Sequence, residues 1–403
     1  MELETIGWSV NMKRMMLLMM LVLQQVVWTE TMLDPLDFLA LQALRKSLDD
    51  MPGSTFFKSW DFSSDPCSFS GVLCDSQGEP DRIVALNLGD ASAGAPGLRG
   101  KLDGALGCLG ALVELTLVPG QVVGSIPETM GQLKELQFMG ISKNFLSGRI
   151  PPCLGALTKL QTLDLSFNQL VGPIPQGIGQ LPTLSNLILS HNKLTGPIPT
   201  FISSIRRLDL MHNGLAGTLP SLPNSVQYVS LANNLLTGKI DQVSGLQQLS
   251  FLDLSFNQFS GNIPDALFSL PLTSLFLQRN SFSGPVTPQG QVTIPNVDLS
   301  FNLLTGLISP LLAYVQNLYL NNNHFTGAVP SEFIDRLLSA DIQVLYIQHN
   351  YLTQITLKPS TTIPLTSSLC IQYNCMAPPI QPPCPFKSGK QKKRPTYQCN
   401  LNG

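Results

Sequence analysis

Charge is scarce in this 403-residue chain. Only 12% of its residues are charged, about half the density of an ordinary soluble domain, where roughly 25% is typical. The 24 Lys and Arg are balanced by 26 Asp and Glu, so the basic excess that nucleic acid or an anionic membrane would require is missing. Histidine is rarer still. His191, His212, His324 and His349 are scattered along the chain, so no zinc-spaced Cys/His cluster can be written. There is no HExxH, no G-x-S-x-G and no Gly-rich phosphate loop opening a helix. The chain therefore reads as a non-enzyme, with no cofactor and no metal. It carries no N-x-S/T glycosylation acceptor. Disorder is excluded too, because 43% apolar residues at a net charge of -2 can bury a core. What the chain has in plenty is turn formers, 32 Gly and 31 Pro.

Long apolar runs are limited to the start. Lys13 and Arg14 precede an uncharged stretch from Met15 to Val27, the layout of a secretory signal with a charged n-region and an apolar h-region of about 7–15 residues. A membrane anchor would need about 20 apolar residues. We assign 1–31 to a signal peptide and expect a secreted, extracellular protein; the alternative is membrane tethering by an uncleaved segment. The end, Lys387 to Gly403, is polar and basic, without a membrane helix or a lipid-anchor signal.

The body repeats itself. LQTLDLSFNQLVGPIPQGIGQLPT from Leu160 is followed by LSNLILSHNKLTGPIPTFISS from Leu184, and an Asn recurs at 144, 168, 192, 213, 234, 257, 280, 302, 323 and 350. A period in the twenties with L-x-x-L-x-L-x-x-N-x-L is the leucine-rich repeat signature. Two further repeats begin at Ile83 and Leu112 with the Asn lost; Gly120 takes its place in the second. The leucines of L-x-L point inward and the residues between them outward. The fold class predicted is an α/β repeat: a right-handed solenoid of about 12 repeats with a concave parallel β-sheet, on the order of 50 Å long at about 4.8 Å per rung. The Asn amides would satisfy backbone groups of adjacent turns. The G-x-I-P segments, such as Gly172-Pro173-Ile174-Pro175, force a turn and an extended stretch on the convex side.

Such an array needs caps. Leu36, Leu39, Ala40, Leu44 and Leu48 recur at helical spacing, predicting a helix from about Pro35 to Asp50. Trp60, Cys67 and Cys74 follow it, and Cys370, Cys375, Cys384 and Cys399 lie in a Pro-rich tail. In a secreted chain these read as disulfides. Cys67 is paired with Cys74; the last four leave three connectivities open. Cys108 and Cys153 belong to repeats about 10 Å apart, beyond the roughly 7 Å Cα limit for a bridge, and read as free thiols. The domain layout is 1–31 signal, 32–82 amino cap, 83–359 solenoid, and 360–403 carboxy cap with a basic tail.

The G-x-I-P repeat behind a W…C-x6-C cap, over about Pro35 to Pro359, resembles the plant-type extracellular leucine-rich repeat family. Relatives with this repeat include receptor-like kinases, receptor-like proteins, leucine-rich repeat extensins and polygalacturonase inhibitors. The chain departs from the kinases in lacking a kinase domain, from the extensins in lacking a Ser-Pro-rich tail, and from the inhibitors in its cap cysteines. The resemblance implies extracellular recognition.

The recognition face would be the outward side of the concave strands, where Tyr228, Phe251, Phe276, Tyr319 and Tyr346 lie with Arg207 and Arg279. Aromatics and Arg dominate binding hot spots. Asp164, Asp209, Asp253 and Asp298 line one row but come from the repeat's own L-D-L pattern, not from an acid/base pair. Phe167, Phe256 and Phe301 sit beside the Asn at the bend. Three partner classes follow: a peptide or receptor ectodomain, for example that of a receptor kinase; a cell-wall-degrading hydrolase to be inhibited; or acidic wall polysaccharide held by the basic run Lys387 to Arg394.

Overall fold

A computed structural model of the chain describes residues 33–75, 80–90, 96–379, 383–385 and 393–399. The signal segment 1–31 and the basic residues Lys387, Lys390 and Lys392 lie outside the described residues. Two sheets run the length of the solenoid. The inner sheet has 14 strands; its first, Val72–Asp75, is antiparallel to Arg82–Leu88, and every later neighbour is parallel down to Ser368–Cys370. The outer sheet has 13 strands; Leu48–Asp50, Leu98–Lys101 and Gln121–Gly124 begin it, and the segments after each Asn from Asn144 to Asn350 continue it. Between them the repeat leucines are shut off from solvent, Leu163, Leu165, Leu187 and Leu252 among them.

Each repeat closes on its Asn. Asn257 Nδ2 donates to the carbonyls of Leu231 (2.9 Å), Leu254 (3.1 Å) and Ser255 (3.1 Å), and its Oδ1 accepts from Leu236 N (3.0 Å). One side chain thereby binds its own turn to the turn before it. The pattern recurs from Asn144 to Asn374. The residue before the Asn takes up the bend in the left-handed region, with φ of 53° to 58° at eleven positions from Lys143 to Tyr373. Gly120 stands at the Asn position of its repeat, and a Cβ there would lie 2.4 Å from Leu98 O.

The amino cap departs from its helical periodicity. The helix covers Pro35–Ser47, with Asp34 as N-cap accepting from Leu36 N and Asp37 N. It stops short of Asp50 because Leu48–Asp50 pairs antiparallel with Leu98–Lys101 and so starts the outer sheet. The fully buried Asp37 joins this cap to the first repeat. It takes Arg82 Nε at 3.0 Å, Arg82 Nη2 at 3.1 Å and Ile83 N at 2.9 Å. Trp60 is buried among Phe57, Phe62 and Phe69 and donates Nε1 to Ser70 O, beside the Cys67–Cys74 bridge.

At the other end the sheet runs one rung past 359. Ser368–Cys370 pairs with Val344–Tyr346, and Asn374 completes the Asn ladder. The bridges are Cys370–Cys384 and Cys375–Cys399. Arg394, expected in a solvated basic tail, is instead locked on the solenoid. It lies 4.0 Å over Tyr351 and 4.8 Å over Tyr373 and donates Nε to Asn350 O. Cys108 and Cys153 are free. Cys108 is exposed, whereas burial first and the Glu128 side chain second push the Cys153 thiol up.

Two outcomes follow from this packing. Asn257→Ala strands the Leu231 carbonyl and the Leu236 amide, a loss of about 1–3 kcal/mol. Because repeat stability is a nearest-neighbour sum, hydrogen exchange should quicken around 251–261 and the denaturation midpoint should fall; an unchanged midpoint would refute the ladder's role. Alkylation of the native chain should modify Cys108 faster than Cys153, since the thiolate is the reactive form; peptide mass mapping against time reads the order.

Candidate recognition face

Register turns residues more than twenty positions apart into neighbours. In each three-residue inner strand two residues flank an inward leucine, valine or methionine. The first outward column runs Arg207, Tyr228, Phe251, Ser274, Asn296, Asn317 on successive rungs. The second runs Asp209, Ser230, Asp253, Phe276, Asp298, Tyr319, Tyr346, Cys370.

Five of the seven predicted residues meet on this face. Arg207 lies 4.3 Å over the Tyr228 ring, Tyr228 stacks on Phe251 at 4.5 Å, and Phe251 meets Phe276 edge-on at 5.9 Å. Tyr319 stands one rung beyond Asp298 and is half-buried, which raises its phenol pKa together with that of Tyr228.

The other two are corrected. Arg279 is not on the strand face. It occupies the left-handed position before Asn280, three residues past Phe276, where its guanidinium sits 5.1 Å from the Phe256 ring and 4.2 Å from the Phe301 ring. Phe167, Phe256 and Phe301 fall in that same bend column, exposed at the rim. Tyr346 is only 7% exposed. The additional rung covers it: Cys370 is its neighbour, Ser368 Oγ donates to its hydroxyl, and its ring packs edge-on against Tyr319 at 5.1 Å. It supports Tyr319 instead of presenting a surface.

The histidines divide. His191, His212 and His349 belong to the bend column, whereas His324 follows its Asn into the outer sheet. Phe167, His191 and His212 stack at 4.1 Å and 4.3 Å. Burial first, then the His212 charge, lowers the His191 pKa.

Sequence reasoning passed over the aspartates as consensus residues, yet they differ from one another. Asp209 is buried and ion-paired, with Arg207 Nη2 3.2 Å from Oδ2. Asp253 lies between Ser230 and Phe276 in the column, and Asp298 between Phe276 and Tyr319. Asp253 Oδ1 accepts from Ser255 N and Oγ, and Asp298 Oδ1 from Ser300 N. Burial pushes both carboxyls above the usual carboxylate range against those serine bonds. The signal available in the sequence was the order of residues down the column, where Asp alternates with an aromatic.

A carboxyl with a raised folded pKa has a definite linkage sign. Its contribution to stability is fully present below the unfolded pKa and is lost as pH rises through the folded one. Asp298→Asn should therefore raise the unfolding midpoint at pH 7, and the gain should vanish below about pH 4. Thermal scans of both proteins across that range test it; a variant less stable at neutral pH would contradict it.

Two family models match: "Leucine rich repeat N-terminal domain" over 34–75, and "Leucine Rich Repeat" over 159–181, 183–205, 248–270 and 314–335. Among curated relatives the chain is similar to "Receptor-like protein 54" of Arabidopsis thaliana, 36% identical over 98 residues, which is 23% of this chain and 12% of that protein. Among solved structures it resembles PEPR1–AtPEP1, with a TM-score of 0.67 and 27% identity over 85% of this chain and 52% of that one. It also resembles the plant peptide hormone receptor RGFR1 in complex with RGF2, with a TM-score of 0.56 and 30% identity over 66% and 48%. The chain thus spans about half of these solved chains and a small part of the curated relative. No helix among the described residues is long and apolar enough to cross a membrane, and no group of three or more potential metal ligands occurs among them.

Proposed function

The chain is a plant-type leucine-rich repeat protein, and from that premise we propose that it is a secreted, non-enzymatic recognition module that binds a peptide or a receptor ectodomain on its concave face. In this reading 1–31 directs secretion, 32–82 caps the array, 83–359 with the rung at 368–370 forms the recognition body, and the remaining residues close the far end. The observation that carries it is the cluster Tyr228, Phe251 and Phe276 with Tyr319 beyond, half-buried planar side chains on a sheet face. Rings of this kind supply contact area at little entropic cost and anchor interfaces. The likeness to a peptide hormone receptor in complex supports the same class of ligand.

The test is selection from a displayed library of random dodecapeptides on the purified full chain. Wild type should capture peptides. Tyr319→Ala should weaken the selected ones at least about 30-fold, the effect of losing a hot-spot residue worth about 2 kcal/mol. Its unfolding midpoint should stay within a few degrees. The exposed convex Gln180→Ala should change neither. If Tyr319→Ala and Phe276→Ala bind normally, the concave-face reading is wrong. Capture of wall polysaccharide that depends on Lys387 and Lys390 would favour wall anchoring instead.

A further inference from the structure

The second outward column carries two carboxylates, Asp253 and Asp298, that form no ion pair among the described residues. We infer that the concave face takes a peptide in polyproline II conformation with cationic side chains at positions i and i+3, one seated at Asp253 and the other at Asp298, astride Phe276; this rests on the concave-face reading above.

Asp253, Phe276, Asp298 and Tyr319 occupy successive rungs. Each aspartate is held through Oδ1 by its serine, and Oδ2 accepts no hydrogen bond among the described residues. Asp209, in the same column, has Arg207 at 3.2 Å. The basic side chains nearest the other two are committed elsewhere. Arg279 faces Asp298 from the rim but is sandwiched between Phe256 and Phe301, and His212 faces Asp253 while stacked on His191. The remaining charge along the column is acidic, and it disfavours both carboxylates further. A ligand cation would relieve that cost. At Asp298 it would also lie between the rings of Phe276 and Tyr319, where aromatic faces attract ammonium and guanidinium groups.

Spacing selects the ligand's conformation. Two rungs separate the carboxylates by about 10 Å. In an extended β-strand, residues i and i+3 point to opposite faces. In polyproline II, with three residues per turn and about 3.1 Å rise, they share a face about 9.3 Å apart. Proline between the two cations would favour that state.

The peptide selection above decides between these statements. Selected sequences should be enriched in Lys or Arg pairs spaced i,i+3 over every other spacing. A synthetic nonapeptide of the consensus, titrated calorimetrically at low salt, should bind Asp253→Asn and Asp298→Asn each at least about tenfold more weakly, as loss of a close charge pair does. Selection on Asp298→Lys should replace one of the two cations by Glu or Asp. Peptides that depend on Tyr319 but lack the cation pair, or carry it at another spacing, would overturn this inference and leave the concave-face reading standing. Absence of any Tyr319-dependent peptide would remove both.

Discussion

The amide of the bend asparagine is the constraint from which the rest of this molecule follows. Backbone groups at each turn are buried between neighbouring repeats and need partners. One Asn side chain supplies them on both sides, to its own turn and to the turn before. The amide reaches its carbonyls only if the preceding residue enters the left-handed region. Phe, His and Arg occupy that position at φ near 55°, although bulky residues there carry a conformational cost. The cost is tolerated because the alternative is unpaired polar groups across the whole width of the array. Where the Asn is missing, at Gly120, only the main-chain rung bond remains, Gly120 N donating to Lys143 O as Asn144 N donates to Phe167 O.

A fixed bend fixes register, and register creates function-bearing columns. No two members of the Asp253–Phe276–Asp298–Tyr319 row are closer than twenty residues in sequence, yet each is next to the following one in space. The same rule makes the rim stack of Phe167, His191 and His212, and the Arg279 sandwich. These two surfaces differ in kind. Rim side chains are consumed by stacking on one another, so a cation such as Arg279 is already occupied. Strand-face side chains lie on a gently curved sheet and keep one side open.

The repeat architecture was legible because it is written many times over; ten Asn in register outweigh any local irregularity. What escaped was set by contacts across single junctions. The helix periodicity continues through Leu48, but pairing with Leu98–Lys101 takes that residue into a strand. The last rung lacks the opening leucine, with Thr366 near its place, and is recognised by Leu369, Ile371 and Asn374 only once the sheet is seen. Arg279 was grouped with the strand face because three residues of separation look minor in sequence. The bend between Phe276 and Arg279 turns the chain onto the rim. Tyr346 lies on the strand face as its alternation predicts, but sequence does not tell that a further rung and its bridge cover it. Pairing among the last four cysteines was open for the same reason, since it depends on where that rung leaves Cys370.

The aspartates carry the point furthest, because four copies of one strand motif, L-D-L three times and V-D-L at Asp298, end in different physical states. Asp209 faces Arg207 in its own strand, and the pair neutralises itself at the sheet's own expense of accessibility. Asp164 has Gly140 and Ile188 as column neighbours, an open and apolar setting. Asp253 and Asp298 instead share Phe276 as a neighbour, which removes water from both without returning a charge. A repeat protein could silence this easily, since Ser230 and Ile188 occupy the same column position without difficulty. Retaining two partly dehydrated carboxylates beside half-buried rings lowers the stability of the free chain. Proteins commonly carry such local conflicts at the sites where another molecule resolves them. The missing charge is therefore best sought in the ligand, which makes the alternation of Asp and aromatic down one column more informative about the partner than either residue type alone.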